Sequence, residues 1–352
     1  VARALAALRE RGPDGSGHWL SPARDVALGH TRLAVVDVSG GAQPLWNERE
    51  TVVAALNGEL YGADALRAGL RARGHVLRTR CDAELLVHLY EDEGPGMTRH
   101  LRGEYAFVLY DTEQRRVLAA RDADGVRPLY LATHGSRVML GSTARALFAA
   151  GLPPRWDEAA LRMSAALQYP PPGRTLFEGV QSVPAGGLII VDAAGARVQR
   201  AETAAPTELP PLDATLGLRE ALEDAVRVRI PDEVSFACAL SGGLDSSAVL
   251  ALATRVTGRA PPVFTVCFEG DLQPEWEQAA ATARTFGATH HAVTLDDAQL
   301  AEGLPAAVRA GEGSAINAHL VGKWALARAV AAAGHKVLLN GEGADEVSYG
   351  YA

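Results

Sequence analysis

Hydrophobic and polar positions follow two different rhythms in this chain. Over the first half, short apolar runs rich in Val, Leu and Tyr are bounded by Gly, Pro and Asp, which predicts strands with tight turns. Strands are expected over Asp25–His30, Arg32–Val38, Thr51–Asn57, Tyr105–Tyr110, Val117–Arg121, Leu129–Ala132 and Val138–Ser142. Helical spacing interrupts them twice. Ala63–Arg73 places Leu66 and Leu70 four apart, and Ala83–Glu91 groups Leu85, Leu86, Leu89 and Tyr90 on one face. Another helix is expected over Glu158–Leu167, an irregular turn through the three prolines of Gln168–Gly173, and a closing strand or hairpin over Val180–Asp192. Many strands with few helices imply an α+β layered domain over residues 1–200.

Ala201–Asp213 has no periodicity and is rich in Pro, Thr, Ala and Glu, so it reads as a linker. From residue 214 to 352 strands and helices alternate. Helices are predicted over Ala214–Arg229, Ser246–Val256, Trp276–Phe286, Gln299–Ala310 and His319–Ala333. Strands are predicted over Val234–Leu240, Val263–Phe268, His290–Leu295 and Lys336–Asn340. This order implies a parallel sheet covered on both faces, with ligands at the carboxyl ends of its strands.

Composition narrows the function. The 352 residues carry a formal net charge of -8, which argues against nucleic acid or an anionic membrane as the main partner. Lysine occurs only at 323 and 336, a composition bias rather than a signal. Cys81, Cys238 and Cys267 are far apart and form no CxxC pair, which fits a reducing cytoplasm and gives no sign of a zinc site or a disulfide framework. No apolar run is long enough for a bilayer, and no signal peptide opens the chain.

The sharpest motif is Ser241-Gly242-Gly243-Leu244-Asp245-Ser246-Ser247, at a predicted strand-to-helix turn. Glycines let the backbone approach a ligand, the helix start offers unpaired N–H groups, and Asp245 can hold a metal ion beside phosphates. The lysine of a Walker loop is missing. A second motif, Asn340-Gly341-Glu342-Gly343-Ala344-Asp345-Glu346, also follows a strand and so belongs on the same sheet edge. Acidic groups beside a triphosphate make sense when they bind Mg²⁺ or hydrogen-bond sugar or substrate.

The first motif resembles the SGGxDS loop of ATP pyrophosphatases. Both motifs behind a strand-rich domain resemble the glutamine-hydrolysing asparagine synthetase family. The N-terminal part is similar to class II glutamine amidotransferases through Arg11-Gly12-Pro13-Asp14, Gly29-His30-Thr31-Arg32-Leu33, Gln43-Pro44, Asn57-Gly58-Glu59, Cys81-Asp82-Ala83-Glu84 and Arg121-Asp122 with Pro128-Leu129-Tyr130. The resemblance implies an Ntn-hydrolase-like αββα sandwich followed by a HUP-like ATP-pyrophosphatase domain.

It also implies roles. Arg32 would pair with the glutamine α-carboxylate. Glu59 and Asp82 would hold the α-ammonium. Asn57 and Gly58 would form an oxyanion hole, and Leu33, Ala34, Val35 and Val36 would line the pocket. In the second domain Ala239, Leu240 and Val266 would sit by adenine, and Ser241, Gly242, Gly243, Leu244, Asp245 and Ser246 by the phosphates. Asn340 and Gly341 would touch the nucleotide. Glu342 and Asp345 would reach the pyrophosphate, with Asp245 and Asp345 holding Mg²⁺. The family's nucleophile, an N-terminal cysteine, is expected upstream of Val1, and its catalytic lysine beyond Ala352, so this stretch alone is expected to form no amide.

The expected full reaction hydrolyses glutamine through a thioester. ATP and a carboxylate, aspartate in the leading case, give an acyl-adenylate and pyrophosphate, and internally passed ammonia attacks it. The partners are then glutamine, ATP and the carboxylate, with a homodimer compatible with the family. Two alternatives remain: amidation of another carboxylate, or ring closure as in β-lactam synthetases and lasso-peptide cyclases. A third, of a different class, is a binding protein that keeps the fold without catalysis.

Overall fold

The computed structural model describes residues 1–200, 211–270, 275–312 and 319–348. The chain divides into Val1–Pro206 and Thr207–Ala352.

The first unit runs α1 (Ala2–Leu8), β1 (Gly15–Leu20), β2 (Ala27–Arg32), β3 (Leu45–Trp46), β4 (Val52–Leu60), α2 (Ala63–Ala72) and α3 (Asp82–Glu93). A 3-10 turn, Gly94–His100, leads to β5 (Gly103–Asp111), β6 (Arg116–Arg121), β7 (Tyr130–His134), β8 (Arg137–Gly141), α4 (Ala144–Ala149), α5 (Glu158–Leu167), β9 (Val180–Ser182), β10 (Gly187–Asp192) and β11 (Gly195–Arg200). Six strands make an antiparallel sheet in the order β11-β10-β6-β5-β4-β3, and three make a second in the order β8-β7-β9.

Four layers follow from where the apolar side chains go. Leu56, Leu60, Phe107, Leu109 and Leu118 meet Leu70 of α2 and Leu85, Leu86 and Leu89 of α3 on one face of the large sheet. On its other face Ala106, Ala119 and Ile189 meet Leu129 and Leu131. Beyond the small sheet, Ala132 and Val180 pack on Ala144 and Leu147 of α4. The arrangement is an αββα sandwich of the Ntn-hydrolase type. The central strands β4 and β5 are apolar along most of their length because both faces are covered.

Two expectations are corrected here. The strand expected over Arg32–Val38 ends at Arg32. The Ala34 N–H donates to Asp14 Oδ2 at 2.8 Å, and Asp37 adopts a positive φ of 51°, so the chain leaves the ladder and turns. Val180–Asp192 is two strands in different sheets, separated where Pro184 interrupts pairing. Helices α1 and α4 and strands β1 and β11 were not expected. The exposed edge strand β11 carries no buried position that alternation could reveal.

The second unit runs α6 (Pro211–Arg227), β12 (Phe236–Ala239), α7 (Leu244–Thr257), β13 (Val263–Phe268), α8 (Glu275–Phe286), β14 (His290–Leu295), α9 (Asp297–Ala310), α10 (His319–Ala332), β15 (Val337–Leu339) and α11 (Ala344–Ser348). Most of the expected linker, 201–210, lies outside the described residues; α6 begins at its far end. The four strands are parallel in the order β14-β13-β12-β15. Leu250 and Ala253 of α7, Ala279 and Ala283 of α8 and Val226 of α6 cover one face. Val330 and Leu326 of α10 cover the other against Ala237 and Phe264.

Strand order reverses beside β12: β13 and β14 extend to one side, and β15 returns to the other. Loops leaving β12 and β15 therefore flank the carboxyl ends of neighbouring strands, the place where open α/β sheets have their ligand crevice.

Candidate functional site

In the first unit, β2, β4 and the start of α3 bring the sequence-selected residues to one region. Arg32, the last residue of β2, donates through Nη2 to the carbonyls of Val36 (3.0 Å) and Asp37 (2.6 Å) and through Nη1 to Val38 (3.3 Å). Its guanidinium packs on Gly41, where a Cβ would lie 2.5 Å from Nη2 and 3.1 Å from the Cβ of Cys81. Arg32 thus shapes the loop after β2 and stands next to the residue that precedes Asp82. In that loop Leu33 is exposed, Ala34 is buried, and Val35 and Val36 are half-buried.

Gln43 joins the other pieces. Its Oε1 accepts the Leu56 N–H at 2.7 Å, and its Nε2 donates to Cys81 Sγ at 3.8 Å. The next residues on β4 are Asn57, Gly58 and Glu59. Asn57 Nδ2 is shut off from solvent and has no hydrogen-bond partner in the protein. Such a donor is costly to leave idle, so a ligand oxygen is its natural complement. Gly58 has φ 134°, and a Cβ there would lie 1.8 Å from the Glu104 carbonyl oxygen. Only glycine fits. His30 Nε2 donates to the Leu56 carbonyl (3.0 Å), and burial pushes its pKa down to about 4, so it is neutral at pH 7.

Asp82 opens α3, and its Oδ2 accepts the Leu60 N–H at 2.9 Å. Its Oδ1 lies 3.4 Å from Arg67 Nη2, with both side chains buried. Burial raises the Asp82 pKa, against the opposing pull of Leu60 N–H and Arg67. Sequence reasoning missed Arg67. Its signal was a cation on the same helix as Leu66 and Leu70, one of whose donors also reaches the Thr79 carbonyl at 3.1 Å. Two other organisers went unassigned. Glu84 accepts from Arg78 N (2.6 Å), Thr79 N (2.8 Å) and Thr79 Oγ1 (2.7 Å). Asp122 accepts from Val126 N and Arg127 N, both at 2.9 Å, and sets the turn that leads into β7.

None of the three cysteines is built as a nucleophile. All are buried free thiols. Burial pushes Cys81 up to about 11 and Cys238 up to about 12, and raises Cys267, so thiolate is scarce at neutral pH.

In the second unit the Ser241–Gly243 turn is held by its own serines. Ser246 Oγ accepts the Ser241 N–H at 3.2 Å, and Ser247 Oγ donates to the Gly243 carbonyl at 2.7 Å. Gly242, at φ 86°, presses against α8, where a Cβ would meet Ala279 N at 2.9 Å. Leu244 is exposed at the head of α7. A cleft of about 450 Å³ beside this turn is lined by Gly242, Gly243, Ser247, Gln278, Thr282 and Phe286 among others.

The two motifs touch. A Cβ on Gly341 would lie 2.9 Å from both the Asp245 Cβ and the Ser246 N. The Asn340 side chain turns back to accept the Glu342 N–H at 3.2 Å. Glu342 forms an exposed ion pair with Lys323 at 2.9 Å. Asp345 is half-buried in the short α11. Ala239 ends β12 and Leu240 follows it, and Thr265 Oγ1 donates to the Leu240 carbonyl at 2.6 Å. Val266 leans toward α10, its Cγ1 lying 3.2 Å from where a Gly322 Cβ would be.

Comparison with known proteins agrees with this division. Residues 1–201 match the glutamine amidotransferase domain family, and residues 217–352 match the asparagine synthase family. The chain belongs to the glutamine amidotransferase domain family, with an asparagine synthase domain following. It is 33% identical to Amidase chry2 of Gibberella zeae over 99% of this chain and 54% of that protein. It is equally close to an asparagine synthetase of Sandersonia aurantiaca, at 33% over 98% of this chain and 62% of that protein. Against asparagine synthetase 3 of Bacillus subtilis the figures are 32%, 86% and 52%. The chain therefore spans little more than half the length of these relatives. Among solved structures, a Bacillus subtilis glutamine phosphoribosylpyrophosphate amidotransferase covers 83% of this chain and 77% of its own at 16% identity and a TM-score of 0.44, too distant to bear on function. Among the described residues, no helix is long and apolar enough to cross a membrane.

Proposed function

We propose that the full-length protein couples glutamine hydrolysis to ATP-dependent amidation of a carboxylate, with aspartate as the leading acceptor. The observation that carries this reading is the close approach of Gly341 to Asp245 and Ser246. It sets two polar, glycine-containing loops on neighbouring parallel strands at the point where strand order reverses.

The residues divide the work. Backbone N–H groups at the start of α7 and the serine hydroxyls receive phosphate oxygens. Asp245 and Asp345 are hard oxygen donors suited to Mg²⁺, which when bound would offset phosphate charge. Gly341, by adding no side chain, lets the second loop close on the start of α7. Attack by the carboxylate on the α-phosphate releases pyrophosphate and leaves AMP on the acyl group. Ammonia then displaces AMP, and the amide forms. In the first unit Arg32, Glu59 and Asp82 orient glutamine by its charged ends, and Asn57 Nδ2 with the Gly58 N–H receives the developing oxyanion.

Amidation of another carboxylate stays in view because the amidase and synthetase relatives are equally similar. Arg32, Asn57, Gly58, Glu59 and Asp82 all persist, which favours an external glutamine over a substrate's own amine.

The test is a pyrophosphate-release assay on the full-length protein with glutamine or ammonia and a panel of carboxylic acids. Release that requires aspartate and yields asparagine is the expected result. Release with a different acid moves the acceptor, and no release with any acid overturns the reading.

A further inference from the structure

Away from the glutamine residues, Glu48, His75, His88 and Glu91 converge, with one donor atom from each lying within 4.8 Å of the others. They come from three places: the turn between β3 and β4, the segment after α2, and one turn of α3. His88 Nδ1 lies 3.2 Å from Glu48 Oε2 and 3.3 Å from Glu91 Oε2, and His75 Nδ1 lies 3.7 Å from Glu91 Oε2 and 4.0 Å from Glu48 Oε1. A tetrahedral ion with bonds of about 2.0–2.1 Å holds its ligands about 3.3 Å apart. The observed spacings need little adjustment.

We propose that these four side chains bind one Zn²⁺ ion. Neighbours already orient two of them, His75 and Glu91, as ligands. His75 Nε2 lies 2.9 Å from Asp92 Oδ1, and Asp92 is itself held by Arg73 at 2.6 Å. That contact makes Nε2 the donor to Asp92 and turns Nδ1 toward the cluster. Glu91 Oε1 accepts from Asn47 Nδ2 (2.9 Å) and Arg49 (3.1 Å), so Oε2 turns inward.

A separate observation points to a cation. Glu48 Oε2 is closed off from solvent and makes no hydrogen bond, since its contact with His88 is misaligned. His88 is 1% exposed. The two imidazole rings lie 4.9 Å apart. Two imidazole nitrogens and two carboxylate oxygens make a donor set suited to a divalent ion. With nitrogen and oxygen ligands, and all four positions filled by protein, the site is structural rather than catalytic. It would clip the end of α3 to β4 and the segment after α2.

The test uses the whole chain without a histidine tag, stripped with chelator and titrated with ZnCl₂ by calorimetry, with metal analysis after dialysis and thermal unfolding alongside. The expected result is one zinc per chain, a rise in Tm with zinc, and a loss of affinity of about a hundredfold or more in His75→Ala and in Glu48→Gln. Both residues are partly exposed, so at least one variant is expected to fold. Absence of stoichiometric zinc, or unchanged affinity in the folded variants, overturns the proposal.

Discussion

The guanidinium of Arg67 lies 3.4 Å from the carboxylate of Asp82, and the two side chains are only 8% and 7% exposed. The pair joins α2 to the first residue of α3, beside the strand that carries Asn57–Glu59. Asp82 also accepts the Leu60 N–H, so its position is fixed from two sides.

Breaking this pair from one side leaves a buried charge alone. Arg67→Leu is expected to destabilise the first unit by about 3–5 kcal/mol, and Arg67→Leu with Asp82→Asn to recover part of that loss. Urea unfolding of the two single variants and the double variant measures the coupling. Additive losses would show that the pair is incidental.

Asn57 makes the opposite prediction. Its Nδ2 is a buried donor without a partner, so Asn57→Ala removes no native hydrogen bond at that atom. Stability should change by less than about 1 kcal/mol. Glutamine hydrolysis by the full-length protein should fall about 10²–10³-fold. A variant that loses stability and activity together would make Asn57 a structural residue.

Gly341→Ala tests the nucleotide crevice. The added methyl would sit 2.9 Å from Asp245 Cβ and Ser246 N. The expected outcome is at least tenfold weaker binding of a non-hydrolysable ATP analogue, read by calorimetry, with the circular dichroism of the protein preserved. Undiminished affinity would place the nucleotide elsewhere.

His30 gives the first unit a pH dependence. Its pKa falls from an ordinary 6.5 to about 4, chiefly through burial. A depressed folded-state value means stability that is present above pH 6.5 and lost as pH falls toward 4. At about 1.4 kcal/mol per tenfold the effect is bounded at about 3 kcal/mol. Denaturant midpoints between pH 7 and pH 5 should decline in the native protein and decline less in His30→Gln.

Much of this was visible in the chain before folding. Strands β5 and β6 and helix α3 follow from apolar runs long enough to define a buried face, and the Ser241–Ser247 turn from glycines placed between a strand and a helix. Other elements left no such trace. β11 has every side chain exposed, and α1 buries none completely, so neither carries a period. The Arg32–Val38 run looked like a strand because Leu33, Ala34, Val35 and Val36 are apolar. What ends it is a long-range bond from Ala34 to Asp14, which local pattern cannot encode. In the site, single residues with a chemical role could be selected by motif. Their partners could not, because Arg67 acquires meaning only when α2 docks beside Asp82. Likewise His88 sat inside an apolar helix run, and only folding brought Glu48 and His75 to it.

The reversal of strand order beside β12 also has a kinetic meaning. Phe236 pairs with Val337, roughly a hundred residues further along the chain, so β15 joins the sheet through a contact of high sequence separation. The serine-glycine turn can form early from local bonds alone, yet the crevice has only one wall until β15 docks. Capture of a fluorescent ATP analogue would therefore report one of the slowest pairings in that unit, making nucleotide capture a clock for its assembly.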